Sequence, residues 1–349
     1  MNKLLFDHQT YELGYNCSFY DVNLIPLAER QHPIVGSIFI VTAILMILLY
    51  IPCLLVFCRG RFRKQPCYKL MIFLGVIDVL LTIGNGVVSG LFVFFGTVYC
   101  EQPLIIYLIG SFGQGLWCGQ SVALVFLALN RCLEMARSHL SEVLFDKKLV
   151  YLWISIAMIY FFIVSWYETA GIFSAIHMTW QFNPHAGYFE DEEQKYYNVM
   201  HMPNNLFVII AMISIYTVFA VIFWKKTSGT TNRKHVKQTF VQVFLLCLAT
   251  VILCAAYIVI QFVKLPTEVT MVIQFIWICN GGLPAIIYLT LNSTVRKHIP
   301  SLIRCHGLLK SSVMEQSHHN GVKSSQGGAR STHLSSIRQN QVDSSYAPS

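Results

Sequence analysis

At 349 residues the chain is long enough to bury a soluble core, but 55% of it is hydrophobic and only 12% is charged. A soluble globular chain carries about 25% charged residues, so this one lacks the charge to cover a soluble surface. The net charge of +8 is a topology signal and implies no nucleic-acid partner.

Residues 1–33 are polar, with no apolar stretch before Ile34. The pattern of a cleavable signal peptide is missing, and the first span is expected to serve as its own insertion signal. A transmembrane helix needs about 20 mostly apolar residues. Blocks of that kind fall at 34–58, 68–95, 104–130, 150–176, 203–224, 239–263 and 268–291. Pro52 marks a kink in the first. The second holds Lys69 at its end, Asp78 inside, and Gly84, Asn85, Gly86 and Gly90 as packing positions or a pocket floor. The third ends at Asn130 and Arg131. Pro266, between Lys264 and Glu268, marks a short turn separating the last two blocks. Asn280, Gly281, Gly282 and Pro284 interrupt the last one. The segment 295–304 alternates apolar and basic residues like a short helix lying on a membrane surface. The tail 306–349 is rich in Ser, Gly, Gln and His and is expected to be disordered. These readings give an all-α membrane fold, a seven-transmembrane bundle within 34–305.

Lysine and arginine orient it. The N-terminus and every second loop hold Lys3, Arg30, Lys195 and Lys264, while the other side receives the remaining twenty-one. The basic side is therefore read as cytoplasmic, with segment 1–33 outside and the C-terminus inside. Of eleven cysteines only Cys17 and Cys100 fall on the outer side. They allow one intramolecular bridge, which would draw the N-terminal segment over the bundle as a lid. Asn16-Cys17-Ser18 is an outer glycosylation acceptor. Asn292-Ser293-Thr294 matches the same pattern on the wrong side.

An ionisable residue at the depth of Asp78 is a functional-site candidate by default; the bland alternative is a neutral Asp that ties helices together. Position alone makes Arg131 an anchor that reaches the headgroups. His177, His185 and His201 have no metal-ligand spacing and are expected as solvent-exposed loop residues. No metal, cofactor or enzymatic motif is read. A transporter or channel would show repeats and matched broken helices, which are not visible. An intramembrane lipid hydrolase would need several Asp or His on facing spans.

Several stretches together resemble a known family. They are Tyr50-Ile51-Pro52-Cys53-Leu54, Pro66-Cys67-Tyr68-Lys69, Leu74-Gly75-Val76-Ile77-Asp78 and Leu127-Ala128-Leu129-Asn130-Arg131-Cys132. Tyr197 to Asn205, with Asn198, His201, Asn204 and Asn205, and Asn280 to Asn292 also fit, as does Trp153 in span four. The chain is similar to nematode serpentine receptors of class T, G-protein-coupled-type chemoreceptors. The resemblance implies a small-molecule ligand, a heterotrimeric G protein, surrounding membrane lipids and the plasma membrane of a sensory cell. It also implies signalling or switch roles for Asp78, Asn130, Arg131, Asn280, Pro284 and Tyr288. The sequence departs from the rhodopsin-like pattern in several places: span six has no Pro, and its start offers His235, Lys237 and Gln238 but no acid to latch Arg131. Asn130 stands where a carboxylate would precede Arg131, so Glu134, three residues on along the same helix face, is the nearest partner. The Pro284 to Tyr288 spacing is one residue longer than usual. The second outer loop has no Cys.

Overall fold

The computed structural model describes residues 1–136, 139–227 and 233–300. The tail 306–349 lies outside the described residues, as does the end of the 295–304 segment; residues 293–299 are helical.

Among the described residues, seven helices are long and apolar enough to cross a membrane. They are α1 (Pro33–Phe57), α2 (Pro66–Phe95), α3 (Pro103–Ala136), α4 (Leu149–Tyr167), α5 (His201–Thr227), α6 (Arg233–Phe262) and α7 (Thr267–Leu291). Proline opens α1, α2 and α3 at the first helical position, where its missing N–H costs nothing. Pro52 and Pro284 lie inside α1 and α7. The α2 helix is α-helical to Thr82, passes through a π-helical turn over Ile83–Val88, and resumes from Ser89. Gly96 ends it in the left-handed conformation, φ +72°, which glycine adopts without strain.

From α1 to α4 and from α5 to α7 each helix packs on the next, α5 joins the bundle through α3, and α7 closes the ring against α1. The α3 helix sits at the centre, against α2, α4 and α5. It is the least apolar of the seven and the most buried, which reconciles its polar content with a lipid surround. Small residues let its neighbours come close. A Cβ at Gly115 would lie 1.9 Å from Ser165 Oγ of α4, and one at Gly110 would lie 1.6 Å from the Gly171 carbonyl oxygen.

Three span boundaries differ from the sequence reading by more than three residues, among them the start of α6, at Arg233 and not at 239. The third helix continues past 130 to Ala136. The fourth stops at Tyr167, not at 176, because Glu168 turns extended (ψ 162°). The apolar residues beyond it form a strand. β1 (Ile172–Ser174) pairs antiparallel with β2 (Thr179–Gln181), aligning Phe173 with Trp180. An apolar run cannot by itself separate a buried strand from the end of a helix. This hairpin is the one departure from an all-α description among the described residues.

At the hairpin end the N-terminal segment lies over the bundle. Short helices cover Asn2–Phe6 and His8–Tyr15. Cys17 and Cys100 are disulfide-bonded, with Cα atoms 5.5 Å apart. Nearby, Tyr11 and Tyr15 stack on each other and both meet Tyr107 edge to face. Arg30 is fully buried there. Its guanidinium donates to the Gly96 carbonyl (2.9 Å), the Ile25 carbonyl (3.1 Å) and Glu101 Oε1 (2.8 Å). A buried charge persists only when it is paired and hydrogen-bonded in this way.

Candidate functional site

At the hairpin end a cavity of about 340 Å³ opens between α3, α5, α6, α7 and the 171–197 segment. Trp117, Trp180, Tyr257 and Trp277 give it aromatic walls, while Gln114, His201 and Gln261 contribute polar groups. Trp277 meets Tyr257 edge to face with ring centroids 4.7 Å apart, and Trp117 at 6.1 Å. Near the mouth Lys264 pairs with Glu190. His177 also lines the cavity; burial and the Lys264 charge depress its pKa. The site thus combines ring faces with a few convergent hydrogen-bonding groups, as small-molecule pockets do.

One polar network runs behind the cavity wall. Trp117 Nε1 donates to Asn205 Oδ1 at 2.9 Å. Asn205 Nδ2 lies 3.2 Å from His201 Nε2, and His201 Nδ1 lies 2.8 Å from Gln261 Oε1. Gln261 Nε2 donates to the Asn198 carbonyl at 3.3 Å. Only one tautomer satisfies this chain: Nε2 accepts from the Asn205 amide and Nδ1–H donates to the Gln261 carbonyl. Asn204 Oδ1 accepts from Ser121 (3.1 Å) and Tyr160 (3.3 Å). Asn198 caps the start of α5, accepting from the His201 backbone N–H at 2.8 Å. The 197–205 stretch is therefore the junction of α3, α4, α5 and α6.

The histidines correct the sequence reading. His185 and His201 are buried, and His177 is half-buried. His185 faces inward because the N-terminal segment covers it. Tyr20 OH lies 3.2 Å from its Nδ1, and Phe19 packs edge to face on its ring. Burial is the main cause of its lowered pKa; the Lys195 charge adds to it, and a hydrogen bond to the Gly14 backbone opposes it.

Deeper, Asp78 is buried and accepts from Tyr50 OH of α1 and Gln120 Nε2 of α3. Thr82 Oγ1 donates to its carbonyl at 2.7 Å. Asn280 lies across a void of about 10 Å³, lined also by Thr82, Asn85 and Gln120; that is roughly the room one water occupies. A further bridge joins the hairpin to the core. Gln274 Oε1 accepts from Thr179 (3.3 Å) and Tyr257 (3.1 Å), and its Nε2 donates to the Asn85 carbonyl at 2.9 Å.

At the opposite, basic end Arg131 pairs with Glu134 at 3.2 Å and lies 3.4 Å from Met71 Sδ. Arg131, Met71, Tyr216 and Tyr288 line a crevice of about 50 Å³. Pro284 is buried in α7 one turn before Tyr288. Asn130 is buried too, but neither of its side-chain amide atoms has a hydrogen-bond partner among the described residues. The structure thus gathers Arg131 with Tyr288, and Asp78 near Asn280, and leaves Asn130 apart from both groups. Asn16 is exposed, its Oδ1 accepting from the Ser18 N–H at 2.8 Å.

The sequence reading passed over Gln114, Gln120, Gln261 and Gln274. Their signal was available: uncharged amides are costly inside an apolar span unless paired, and a search confined to ionisable residues, Gly and Pro skips them.

Residues 3–312 match the family described as Serpentine type 7TM GPCR chemoreceptor Srt. Among curated proteins, Serpentine receptor class T-55 of Caenorhabditis elegans is 25% identical over 251 residues, spanning 70% of this chain and 68% of that protein. With seven membrane-crossing helices around an aromatic cavity, the chain belongs to the Srt family of serpentine seven-transmembrane chemoreceptors.

Proposed function

We propose that this protein is a plasma-membrane receptor of a sensory cell, with the hairpin end outside and the basic end facing the cytoplasm. A small molecule enters the 340 Å³ cavity and stacks on its tryptophans. Neutral amide and imidazole groups suit an uncharged ligand with a ring and a hydrogen-bonding group. The observation that carries the reading is the polar network against this wall, because it joins α3, α5 and α6 through single side chains. A ligand that binds one arrangement of these helices better than another shifts the population toward it. The change reaches a heterotrimeric G protein at the crevice beside Arg131 and Tyr288.

Asp78, held by α1 and α3 together, sets the balance between the states. Asn280, Pro284 and Tyr288 form the α7 side of that switch, and Asn130 belongs to its α3 side.

The test is a ligand screen on cells carrying a second-messenger reporter, with substrate flux measured in parallel. A signal without flux is expected; flux without a signal would assign the chain to transport. Arg131→Ala should keep surface expression and ligand binding and lose the signal. Asp78→Asn should alter basal signalling at equal surface density. Full signalling by Arg131→Ala would reduce Arg131 to a headgroup anchor.

A further inference from the structure

A second cavity, of about 480 Å³, lies beside the first, between α2 and α3. Its walls are Leu80, Ile83 and Gly84 of α2 with Leu108, Phe112 and Gly113 of α3. Leu80, Ile83, Leu108 and Phe112 are also exposed on the outside of the bundle. They sit within spanning helices, so this side of the cavity faces acyl chains, while Met1 of the N-terminal segment lines it as well. Its volume falls in the range of about 300–1,000 Å³ typical of small-molecule sites.

Three independent features shape this space. The π-helical turn Ile83–Val88 forms much of the α2 wall, and such turns gather at functional sites. A Cβ added at Gly84 or Gly113 would meet nothing within 4 Å, so neither glycine is there for close helix packing. Finally, Gln114 Nε2 is buried and has no hydrogen-bond partner among the described residues. A donor left unpaired in an apolar surround is costly. Gln114 lines both cavities, together with Gly171, Trp180 and Trp277. Trp180, held by Ser89 Oγ at 2.9 Å, is part of the wall between them.

We propose that the lateral cavity binds a single-chain aliphatic molecule dissolved in the bilayer, whose one carbonyl oxygen accepts from Gln114 Nε2 once that amide, which packing seals from solvent, turns toward the chain. The chain fills the apolar space between α2 and α3, and the carbonyl end abuts the Trp180–Trp277 wall of the outer cavity. The receptor reading gains from this a route for oily ligands through the membrane. The binding itself does not depend on that reading, and its test contains no signalling step.

The test uses the full chain in phosphatidylcholine nanodiscs, with 2-tridecanone bearing a terminal diazirine as the probe. After photolysis, adducts are mapped by peptide mass spectrometry. Saturable labelling within 80–88 and 108–116 is expected, displaced by plain 2-tridecanone. Gly113→Leu and Gly84→Leu each fill the space from opposite walls and should cut labelling at least tenfold while leaving the thermal midpoint in place. Gln114→Leu should weaken binding about tenfold, close to one hydrogen bond. Labelling spread evenly over lipid-facing helices, or unchanged in both glycine variants, would overturn the proposal. Equal displacement by tridecane would remove the carbonyl from it. A co-purifying phospholipid lost in both glycine variants would assign the cavity to lipid instead.

Discussion

His201 is the residue on which most of the buried polar chemistry turns. Each ring nitrogen has one partner, and each partner has a further one, so the chain from Trp117 to Asn198 is satisfied throughout. Replacing Gln261 by Leu strands the Nδ1–H of His201. An orphaned buried donor costs about 1–3 kcal/mol, so the purified Gln261→Leu variant should show a lower thermal midpoint. An unchanged midpoint would mean that the imidazole finds another acceptor. Asp78 and Arg131 were legible in the sequence because charge inside an apolar block is conspicuous. The amides were not, because an uncharged side chain disturbs hydropathy little and its partner sits on another helix. Tyr50 and Gln120 meet at Asp78 from 28 residues before it and 42 after it, and no local pattern encodes that.

At the level of the helix, the span count follows from block length alone, and proline fixes several of the starts. The end of α4 was illegible because 170–176 is as apolar as a span and is buried for a different reason. The π-helical turn in α2 was illegible as well; Gly84, Asn85 and Gly86 mark the place but not the geometry. Close packing leaves a sharper trace. Gly110 faces the Gly171 carbonyl so closely that any side chain would displace the hairpin. Gly110→Val is therefore expected to abolish surface expression, whereas Gly84→Ala, with open space around it, should reach the surface normally. Normal surface levels of Gly110→Val would show that the hairpin yields without cost. The measurement is cell-surface biotinylation of both variants.

For the molecule as a whole, the asymmetry of Lys and Arg was the most informative single property, and it makes a direct claim about sidedness. A tag at residue 2 should be reached by antibody on intact cells, and one after Ser349 only after permeabilisation. Both tags on one side would refute an odd span count. Asn16 is exposed on the side read as outer, so Asn16→Gln should remove a glycosidase-sensitive mass shift that Asn292→Gln leaves in place. The disulfide closes a loop whose ends are 83 residues apart. In the chain-entropy model a loop of that size is worth roughly 4–5 kcal/mol, although insertion into a bilayer already restrains this chain.

The turn at Ile83–Val88 also changes what a deletion does. In an ordinary α-helix each residue advances the chain by about 100°. Losing one therefore spins everything beyond it relative to everything before. A π-helical turn bonds i to i+5 and so already carries one residue beyond what the helical phase requires. Removing Val87 would let α2 close into continuous α-helix, with Asp78 and Ser89 still presented to their partners. That shortened chain should insert and form its disulfide, as read by the mobility shift on reduction. Removing Ala123 from the middle of α3, where no such slack exists, should prevent it. A spanning helix that can shed a residue without turning is, in effect, geared with one spare tooth, and the lateral cavity lies against that tooth.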